Sequence, residues 1–399
     1  MSTFSPRHGA ASALERPGPP LEGRERRTWP PGVQRALVLF GGVRLAGAVL
    51  VVVVNLLTGR SILKGLAHSW DSVWYLHIAT HGYGTRVHIT DSGAVQTDWA
   101  FFPLYPGLVR ALDWIPLLTP GVAALLIAWT ATALAAIGVY AIGHQLYGRA
   151  VATAMVALWA ALPHSVVLTL AYTEPLFIAL AVWCLYALLD ERWLAAGALA
   201  ALAGLTRPNG YAAAAAVLGV AAFEVVRHRG RVPLGLWAGA LAAPLGWTAY
   251  LLLVGHRTGA LLRGYFQVQS AWESRFDGGL GTLRFLATVP LTDGVIYPVA
   301  LVVVAVGVHL FVRLCRERVP LALLLYTAAL LLPVVLVSGP FESKPRFLLP
   351  AFPLLIPAAQ ALVHRWRTDP DATRRLCGYL TAFSLLYGTY LATFANHSP

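Results

Sequence analysis

The chain has 399 residues, of which 57% are apolar and only 12% are charged, and its mean hydropathy is +0.64. Soluble domains carry about 25% charged residues, so this composition excludes an ordinary soluble fold and indicates an integral membrane protein. The net charge of +12 does not indicate nucleic-acid binding, because basic residues mark the cytoplasmic ends of membrane helices. The scattered Cys184, Cys315 and Cys377 support neither a disulfide framework nor a zinc site.

The chain begins with a polar segment and continues as a series of apolar runs. Residues 1–35 are rich in Pro, Gly, Arg and Glu, which predicts a disordered cytoplasmic tail. Residues 36–399 are predicted to form one all-α transmembrane bundle of about 11 spans. The predicted runs are Ala36–Leu57, Gly121–Leu146, Ala150–Ala171, Pro175–Leu189, Trp193–Thr206, Pro208–Val226, Pro233–Val254, Gly294–Val312, Pro320–Val337, Phe347–Val363 and Leu376–Phe394.

The distribution of Lys and Arg places the N-terminus in the cytoplasm, because the loops on that side hold most of the basic residues. Two long segments, 58–120 and 255–293, then lie outside. Their many Trp and Tyr residues predict helices that lie in the outer membrane interface, and a helix with Ser69 as its cap is expected from Asp71 to Thr80. The chain's bias toward Arg, Ala, Gly, Pro, Val and Leu suggests a high-GC bacterial genome, so the predicted localisation is a bacterial plasma membrane, with the polar chemistry facing outward.

The polar residues gather on the predicted outer side, and some of them lie below the surface. The runs that end near Glu174 and Arg207 are only about 14 or 15 residues long, which is too short for a hydrocarbon core of about 30 Å. Charges at that depth need protein or a wet cavity around them, so we expect a recess. Thinning of the bilayer with Arg207 reaching the surface is the alternative.

Asp71, at the start of the predicted interfacial helix, is the candidate proton acceptor, with His68 as a candidate partner, although an acidic residue also suits the first turn of a helix. Glu174 needs a partner, which Arg207 or a sugar hydroxyl would supply. Arg207, Lys344 and Arg346 are the cations expected to bind an anionic group such as a lipid phosphate, although each also suits a lipid headgroup.

Two histidines in the first outer segment, His77 and His81, have the i, i+4 spacing of a helical metal site. An acidic ligand is missing from the pattern, so they are interpreted as interfacial polar residues. Neither a metal nor another cofactor is expected, and no nucleotide-binding motif is visible in the sequence.

Four segments together resemble the PIG-V family of mannosyltransferases: HSWDSVWYLHIATHGYG (68–84), AFFPLYPGLVRAL (100–112), AYTEPLF (171–177) and RWLAAGALAALAGLTRPNG (192–210). The PRFLLPAFPLL stretch (345–355) extends the resemblance. It implies a GT-C fold, a polyprenyl-phosphate mannose donor and catalysis by Asp71. The substrate-binding positions expected from the motifs and the charge pattern are His68, Trp70, Tyr75, His81, Tyr172, Glu174, Arg207, Asn209, Lys344 and Arg346.

The function expected from this resemblance is transfer of mannose to an extracytoplasmic hydroxyl in a single inverting displacement. The acceptor is left open between a glycolipid, a glycan and a protein. A transporter or lipid flippase is the first alternative, although the inner halves of the helices are almost wholly apolar apart from Arg44. A non-catalytic subunit of a cell-envelope assembly is the second.

Overall fold

The computed structural model describes residues 32–91, 93–288 and 294–395. Nearly all of the predicted tail (1–35) and the last five residues of the second outer segment (255–293) therefore lie outside the described residues. The described part is predominantly helical, which confirms the predicted all-α membrane fold.

Seventeen α-helices are found in the described residues. The first seven are α1 (Val33–Leu57), α2 (Ile62–Ala67), α3 (Asp71–His81), α4 (Leu104–Ala111), α5 (Pro120–Ala160), α6 (Glu174–Leu189) and α7 (Trp193–Gly204). The next five are α8 (Tyr211–Arg227), α9 (Leu234–Ala242), α10 (Leu245–Arg257), α11 (Gly264–Ser270) and α12 (Leu280–Thr288). The last five are α13 (Ile296–Arg316), α14 (Leu321–Leu336), α15 (Lys344–Leu348), α16 (Leu355–Thr368) and α17 (Pro370–Thr393).

Length and apolar composition qualify five segments of the described chain to cross a membrane: α1, α5, α8 with the turn before it, α9 joined to α10, and α13. A sixth is α15 with α16, whose two parts are bent by 79°. The helices α6, α7 and α14 are apolar but shorter. Each of the eleven predicted runs overlaps one of these helices or α17.

Two of the predicted runs fold back on each other inside α5. Gly148 has φ 81° and ψ 177°, a conformation outside the helical region. A Cβ on Gly143 would lie 3.0 Å from the Cα of Ala152. Nine residues of straight helix would separate these positions by about 13 Å. The helix is therefore a hairpin of two arms, 120–147 and 149–160, that pack side by side.

The helix lengths place Glu174 well inside the bundle. The C-terminal end of α6 lies beside the turn of the α5 hairpin, because Gln145 donates to Asp190 at 3.3 Å. The first residue before α1 lies beside the same turn, since a Cβ on Gly32 would contact Arg149. From that common level, the 25 residues of α1 rise about 37 Å and the 16 residues of α6 only about 24 Å. Glu174, at the start of α6, is thus recessed relative to the end of α1.

Helix α7 packs against α9 and α10 at backbone distance. A Cβ on Gly197 would lie 2.3 Å from the carbonyl oxygen of Gly239, and one on Gly246 would meet the carbonyl oxygen of Ala201. Only glycine permits this approach, which lets the helices pack closely along α7. The close packing holds the end of α7, from which the chain continues to Arg207.

The first outer segment covers the end of the bundle where Glu174 lies. Helix α3 packs on α4 and α5, in agreement with the predicted helices of this segment. Between α3 and α4 lies an antiparallel hairpin that the sequence pattern did not reveal, formed by β1 (Val87–Ile89) and β2 (Val95–Thr97). The helix α11, from the second outer segment, contacts the short 3-10 turn Asp98–Ala100.

Candidate functional site

Asp71 is the first residue of α3, as predicted, and the helix ends one residue beyond the predicted Thr80. The prediction that Ser69 caps this helix is wrong. Trp70 is the residue that precedes the helix, with φ 48° and ψ −119°, and its side chain makes no capping hydrogen bond. Positive φ is unfavourable for a bulky side chain, and such strained residues concentrate at functional sites. The backbone N–H of Asp71 donates instead to the hydroxyl of Tyr172, at 3.4 Å.

Four charged side chains with alternating sign meet at the start of α6; we call them the quartet (Asp71, Arg346, Glu174 and Arg207). Arg346 Nη1 donates to Asp71 Oδ2 at 2.8 Å, and its Nε lies 3.3 Å from Glu174 Oε1. Arg207 Nη1 lies 2.6 Å from the same oxygen of Glu174. The two carboxylates balance the two guanidiniums, which makes burial of all four tolerable.

The members of the quartet differ in their access to solvent. The side chains of Arg207, Arg346 and Glu174 are 7%, 7% and 1% exposed, whereas that of Asp71 is 26% exposed. Asp71 is therefore the most accessible carboxylate of the quartet, and the other three side chains are buried.

Aromatic rings line the two guanidiniums. Phe347 lies 5.3 Å from the guanidinium carbon of Arg346 and 5.7 Å from that of Arg207, measured to the ring centroid. Tyr172 lies 5.5 Å from the guanidinium carbon of Arg346. Rings at these distances stabilise a cation by attraction to their π faces, and they also restrict its motion. The rings therefore help to hold both arginines in place.

The backbone around the quartet is fixed from several elements. The N–H of Ala171 donates to the carbonyl of Leu66 at 2.9 Å, which ties the segment before α6 to α2. The loop that carries Arg207 is held on both sides: Leu104 N–H donates to the carbonyl of Leu205, and Trp247 Nε1 donates to that of Pro208, both at 2.9 Å. The backbone is irregular where Pro residues interrupt the helices, and neighbouring residues form hydrogen bonds with its free backbone groups.

Tyr75 belongs to the same neighbourhood, one turn after Asp71 on α3. Its hydroxyl lies 3.3 Å from Thr173 Oγ1, and its ring is buried against Phe101 and Tyr105. Burial, and then the charge of Asp71, raises the pKa of the Tyr75 hydroxyl well above its ordinary value. This phenol therefore stays protonated.

The structure directs Lys344 away from the quartet. Its ammonium contacts Thr282 Oγ1 at 2.6 Å and the carbonyl oxygens of Val334 and Val337 at 2.8 and 3.1 Å. These contacts use all three of its protons and satisfy the carbonyls near the C-terminal end of α14. Its position is that of a buried structural cation, although the sequence pattern groups it with Arg346.

Three other predicted residues lie at the edge of the site or beyond it. His68 is exposed and lies beside the start of α5, where a Cβ on Gly121 would be 3.0 Å from its ring. Asn209 is half-buried in the turn between α7 and α8. His81 is at the opposite end of α3 from Asp71, where its ring stacks on that of His77 with centroids 4.5 Å apart. The described residues contain no group of three His, Cys, Asp or Glu side chains placed to hold a metal ion.

Another acidic residue of the outer segments, Asp98, has a structural position. It is fully buried, and its carboxylate accepts hydrogen bonds from the backbone N–H groups of Gly84, Thr85 and Arg86 at 3.0, 3.1 and 3.3 Å. These contacts fix the turn that leads from α3 into the β-hairpin.

Sequence reasoning missed two contributors to the site, Thr173 and Phe347. Each adjoins a residue that was selected, in the strings YTEP and PRFL. An aromatic residue beside a buried arginine is a signal for a cation–π contact, and that signal would have identified Phe347.

No family model matches the chain, and no curated protein matches its sequence. Solved structures do match. ArnT from Cupriavidus metallidurans, bound to undecaprenyl phosphate, superposes with a TM-score of 0.54 over 91% of this chain and 66% of its own, at 17% identity. The Archaeoglobus fulgidus oligosaccharyltransferase in the apo form gives 0.48 over 89% and 55%, at 14% identity. The chain therefore spans between about half and two thirds of the length of these proteins.

A third match is the oligosaccharyltransferase AglB from Archaeoglobus fulgidus, solved with an inhibitory peptide and a dolichol phosphate, with a TM-score of 0.49 and 12% identity. At these identities the likeness concerns the fold alone. Among the three, the superposition on ArnT is the one that carries the assignment. It places this chain in the GT-C membrane fold that its sequence motifs predict.

Proposed function

We propose that the protein is a membrane glycosyltransferase that moves a sugar from a polyprenyl-phosphate donor to a hydroxyl acceptor. The observation that carries the proposal is the quartet: a partly exposed carboxylate, Asp71, in front of two buried guanidiniums. Support also comes from the fold, which is that of ArnT, a protein solved with undecaprenyl phosphate.

In this proposal Asp71 is the general base. The acceptor oxygen forms a bond to the anomeric carbon while the bond between that carbon and the phosphate oxygen breaks. The electron pair leaves with the lipid phosphate, and the acceptor proton passes to Asp71. A positioned carboxylate of this kind contributes about 10²- to 10⁴-fold to a rate.

Arg346 and Arg207 bind the donor phosphate. Guanidinium groups form paired hydrogen bonds with phosphate oxygens, and their positive charge stabilises the leaving group as its own charge develops. Glu174 keeps both arginines buried and oriented in the absence of donor, through its contacts at 2.6 and 3.3 Å. When phosphate binds, Arg346 exchanges its hydrogen bond to Asp71 for one to a phosphate oxygen, which frees the carboxylate to act as a base.

The finer assignment extends the same proposal. The four PIG-V-like segments include Asp71, Glu174 and Arg207, and on this basis we propose mannose as the sugar and a PIG-V-type mannosyltransferase as the class. The charge pattern of the loops supports an active site that faces away from the cytoplasm of a bacterium. The acceptor is then an extracytoplasmic hydroxyl of a glycolipid, glycan or protein.

The test uses the full chain in lipid nanodiscs with radiolabelled polyprenyl-phosphate mannose, and with the glucose and arabinose analogues as competing donors. Transfer to water or to a panel of hydroxyl acceptors is measured for the wild type, Asp71→Asn and the control Asp113→Asn, an exposed carboxylate of the same outer segment. We expect a loss on the order of 100-fold or more for Asp71→Asn alone.

Equal transfer by Asp71→Asn and the wild type would exclude Asp71 as the base. Turnover of another donor in preference to the mannose donor would contradict the sugar but retain the enzyme class. If the wild type releases no sugar from any donor, the transporter or non-catalytic subunit becomes the better interpretation.

A further inference from the structure

A buried cation that is not a member of the quartet lies near the middle of α1. Arg44 is 11 residues into a 25-residue apolar helix, about 17 Å from its start, and is 6% exposed. Within the described residues no carboxylate lies within ion-pair distance of its guanidinium. Placing a charged side chain near the centre of a bilayer costs about 2.5 kcal/mol or more. An arginine at this position therefore suggests a specific role.

The contacts of Arg44 identify where it acts. Its Nη2 donates to the carbonyl of Ala160 at 2.6 Å and to Ser384 Oγ at 3.4 Å. Ala160 is the last residue of α5, where carbonyl groups lack helical partners and a positive charge is favourable. Ser384, from α17, in turn donates to the carbonyl of Leu162 at 2.8 Å. We call residues 159–165 the α5 corner.

The α5 corner has two connections to the quartet. Along the chain, it continues through the 3-10 turn Ser165–Thr169 to Glu174 at the start of α6. Across space, Trp159 Nε1 donates to the carbonyl of Leu349 at 3.1 Å, three residues after Arg346. The backbones that carry both of these quartet residues therefore meet at the corner.

Helix α1 supports the corner through a second contact close to Arg44. The ring of Phe40 stacks on that of Trp159, with centroids 5.2 Å apart. One turn of α1 thus fixes both the end of the second α5 arm and, through Trp159, the segment after Arg346. Through the contacts of Arg44 and Phe40, α1 is joined to the α5 corner.

We propose that Arg44 is a positioning residue: by holding the α5 corner, it sets the distance of Glu174 and Arg346 from Asp71. The expected change in kcat rests on the proposed function, whereas the expected change in hydrogen exchange does not. An error of about 1 Å in the geometry of a site costs on the order of 100-fold in rate. Loss of Arg44 should therefore lower kcat more than it changes KM for the donor.

The variants are Arg44→Met, which keeps an unbranched apolar stem but removes the guanidinium and its charge, and Arg44→Lys, which keeps a charged donor for the Ala160 carbonyl. The control is Arg35→Met, the same exchange at an exposed position of α1. Each is compared with the wild type by thermal unfolding, by kcat and KM for radiolabelled polyprenyl-phosphate mannose, and by backbone hydrogen exchange of residues 161–173 and 345–351.

We expect Arg44→Met to raise hydrogen exchange in both segments and to lower kcat by about 10- to 100-fold. Arg44→Lys should restore the exchange and kcat toward the wild-type values, and Arg35→Met should change neither. Unchanged exchange in the two segments would overturn the proposal, as would a loss of kcat that follows the unfolding temperature equally in all variants. If the wild type transfers no sugar, the exchange data still decide the positioning role, and the proposed function alone fails.

Discussion

At the scale of single residues, the quartet shows how buried charges of opposite sign compensate one another. Arg346 forms a hydrogen bond with Asp71 at 2.8 Å, and Glu174 Oε1 forms ion pairs with Arg207 and Arg346 at 2.6 and 3.3 Å. Glu174 therefore lies between two cations and balances their charge. The buried Glu174 compensates the positive charge of the arginines, and Asp71 is the carboxylate that is accessible to solvent.

Glu174→Gln should destabilise the protein, because it leaves two buried guanidiniums with one partly exposed partner. Removal of one member of a buried ion pair costs about 3–5 kcal/mol. We expect a clear fall in the thermal unfolding midpoint in nanodiscs, with the exposed Glu273→Gln as control. Adding Arg207→Met should recover part of the loss, since one uncompensated charge is removed with it. A double variant as unstable as the sum of the two single variants would contradict this account.

The sequence predicted the charged residues of the site better than it predicted their directions. Glu174, Arg207 and Arg346 come together because broken helix ends at membrane depth collect charges that need one another. Lys344 and Arg346 are two residues apart in one short helix, so their side chains point about 200° apart around its axis. That separation follows from the helix, and the helix boundary was not evident from a string that contains Pro345.

At the scale of elements, the turn inside α5 determines where the second arm and the α5 corner lie. Gly148 lies in a region of φ and ψ that only glycine occupies readily. Space is not the constraint, because nothing lies within 4 Å of the position of its missing Cβ. Two apolar runs separated by a short polar stretch were recognised from the sequence, but the tightness of the turn depends on this one backbone conformation.

Gly148→Ala should therefore cost about 1–3 kcal/mol through backbone strain alone. The control is Gly378→Ala in α17, which also has open space around it but a helical backbone, and which should be neutral or slightly stabilising. Thermal unfolding of both variants in nanodiscs is the measurement. Equal midpoints for the two would show that the turn tolerates a side chain.

The close packing of α7 gives a second comparison within one helix. A Cβ on Gly239 of α9 would lie 2.2 Å from the carbonyl oxygen of Trp193, whereas one on Gly235 meets nothing within 4 Å. Gly239→Ala should destabilise by about 1–3 kcal/mol, because it forces α7 and α9 apart, and Gly235→Ala should not. Unfolding of the two variants side by side tests this, and equal stability would mean that the helices separate at little cost.

At the scale of the whole molecule, the pattern of apolar runs was sufficient to predict an all-helical membrane fold. It did not predict the 79° bend between α15 and α16 or the β-hairpin between α3 and α4. Both are places where the chain turns under tertiary constraints: Trp159 binds the carbonyl of Leu349 at the bend, and Asp98 fixes the turn before the hairpin. Local composition carries no signal for partners so distant in sequence.

The orientation in the membrane is a prediction at this scale. Single cysteines at Asp113 and Arg231, both exposed and located at opposite ends of the bundle, are introduced after Cys315 and Cys377 are replaced by Ser. A membrane-impermeant maleimide applied to intact cells should label the cysteine at 113 and reach the one at 231 only after permeabilisation. The reverse pattern would place the quartet on the cytoplasmic side.

The contacts of Arg44 also bear on how the protein is synthesised. Its partners Ala160 and Ser384 follow it by 116 and 340 residues, so the ribosome delivers α1 long before either exists. During that interval the arginine lies in a nascent helix without acceptors, at a cost of about 2.5–3.5 kcal/mol on insertion scales. The many Val and Leu residues of α1 offset this cost and allow membrane entry. Helix α1 is therefore made before Arg44 has its hydrogen-bond partners, and the second of them, Ser384, becomes available only when α17 is synthesised.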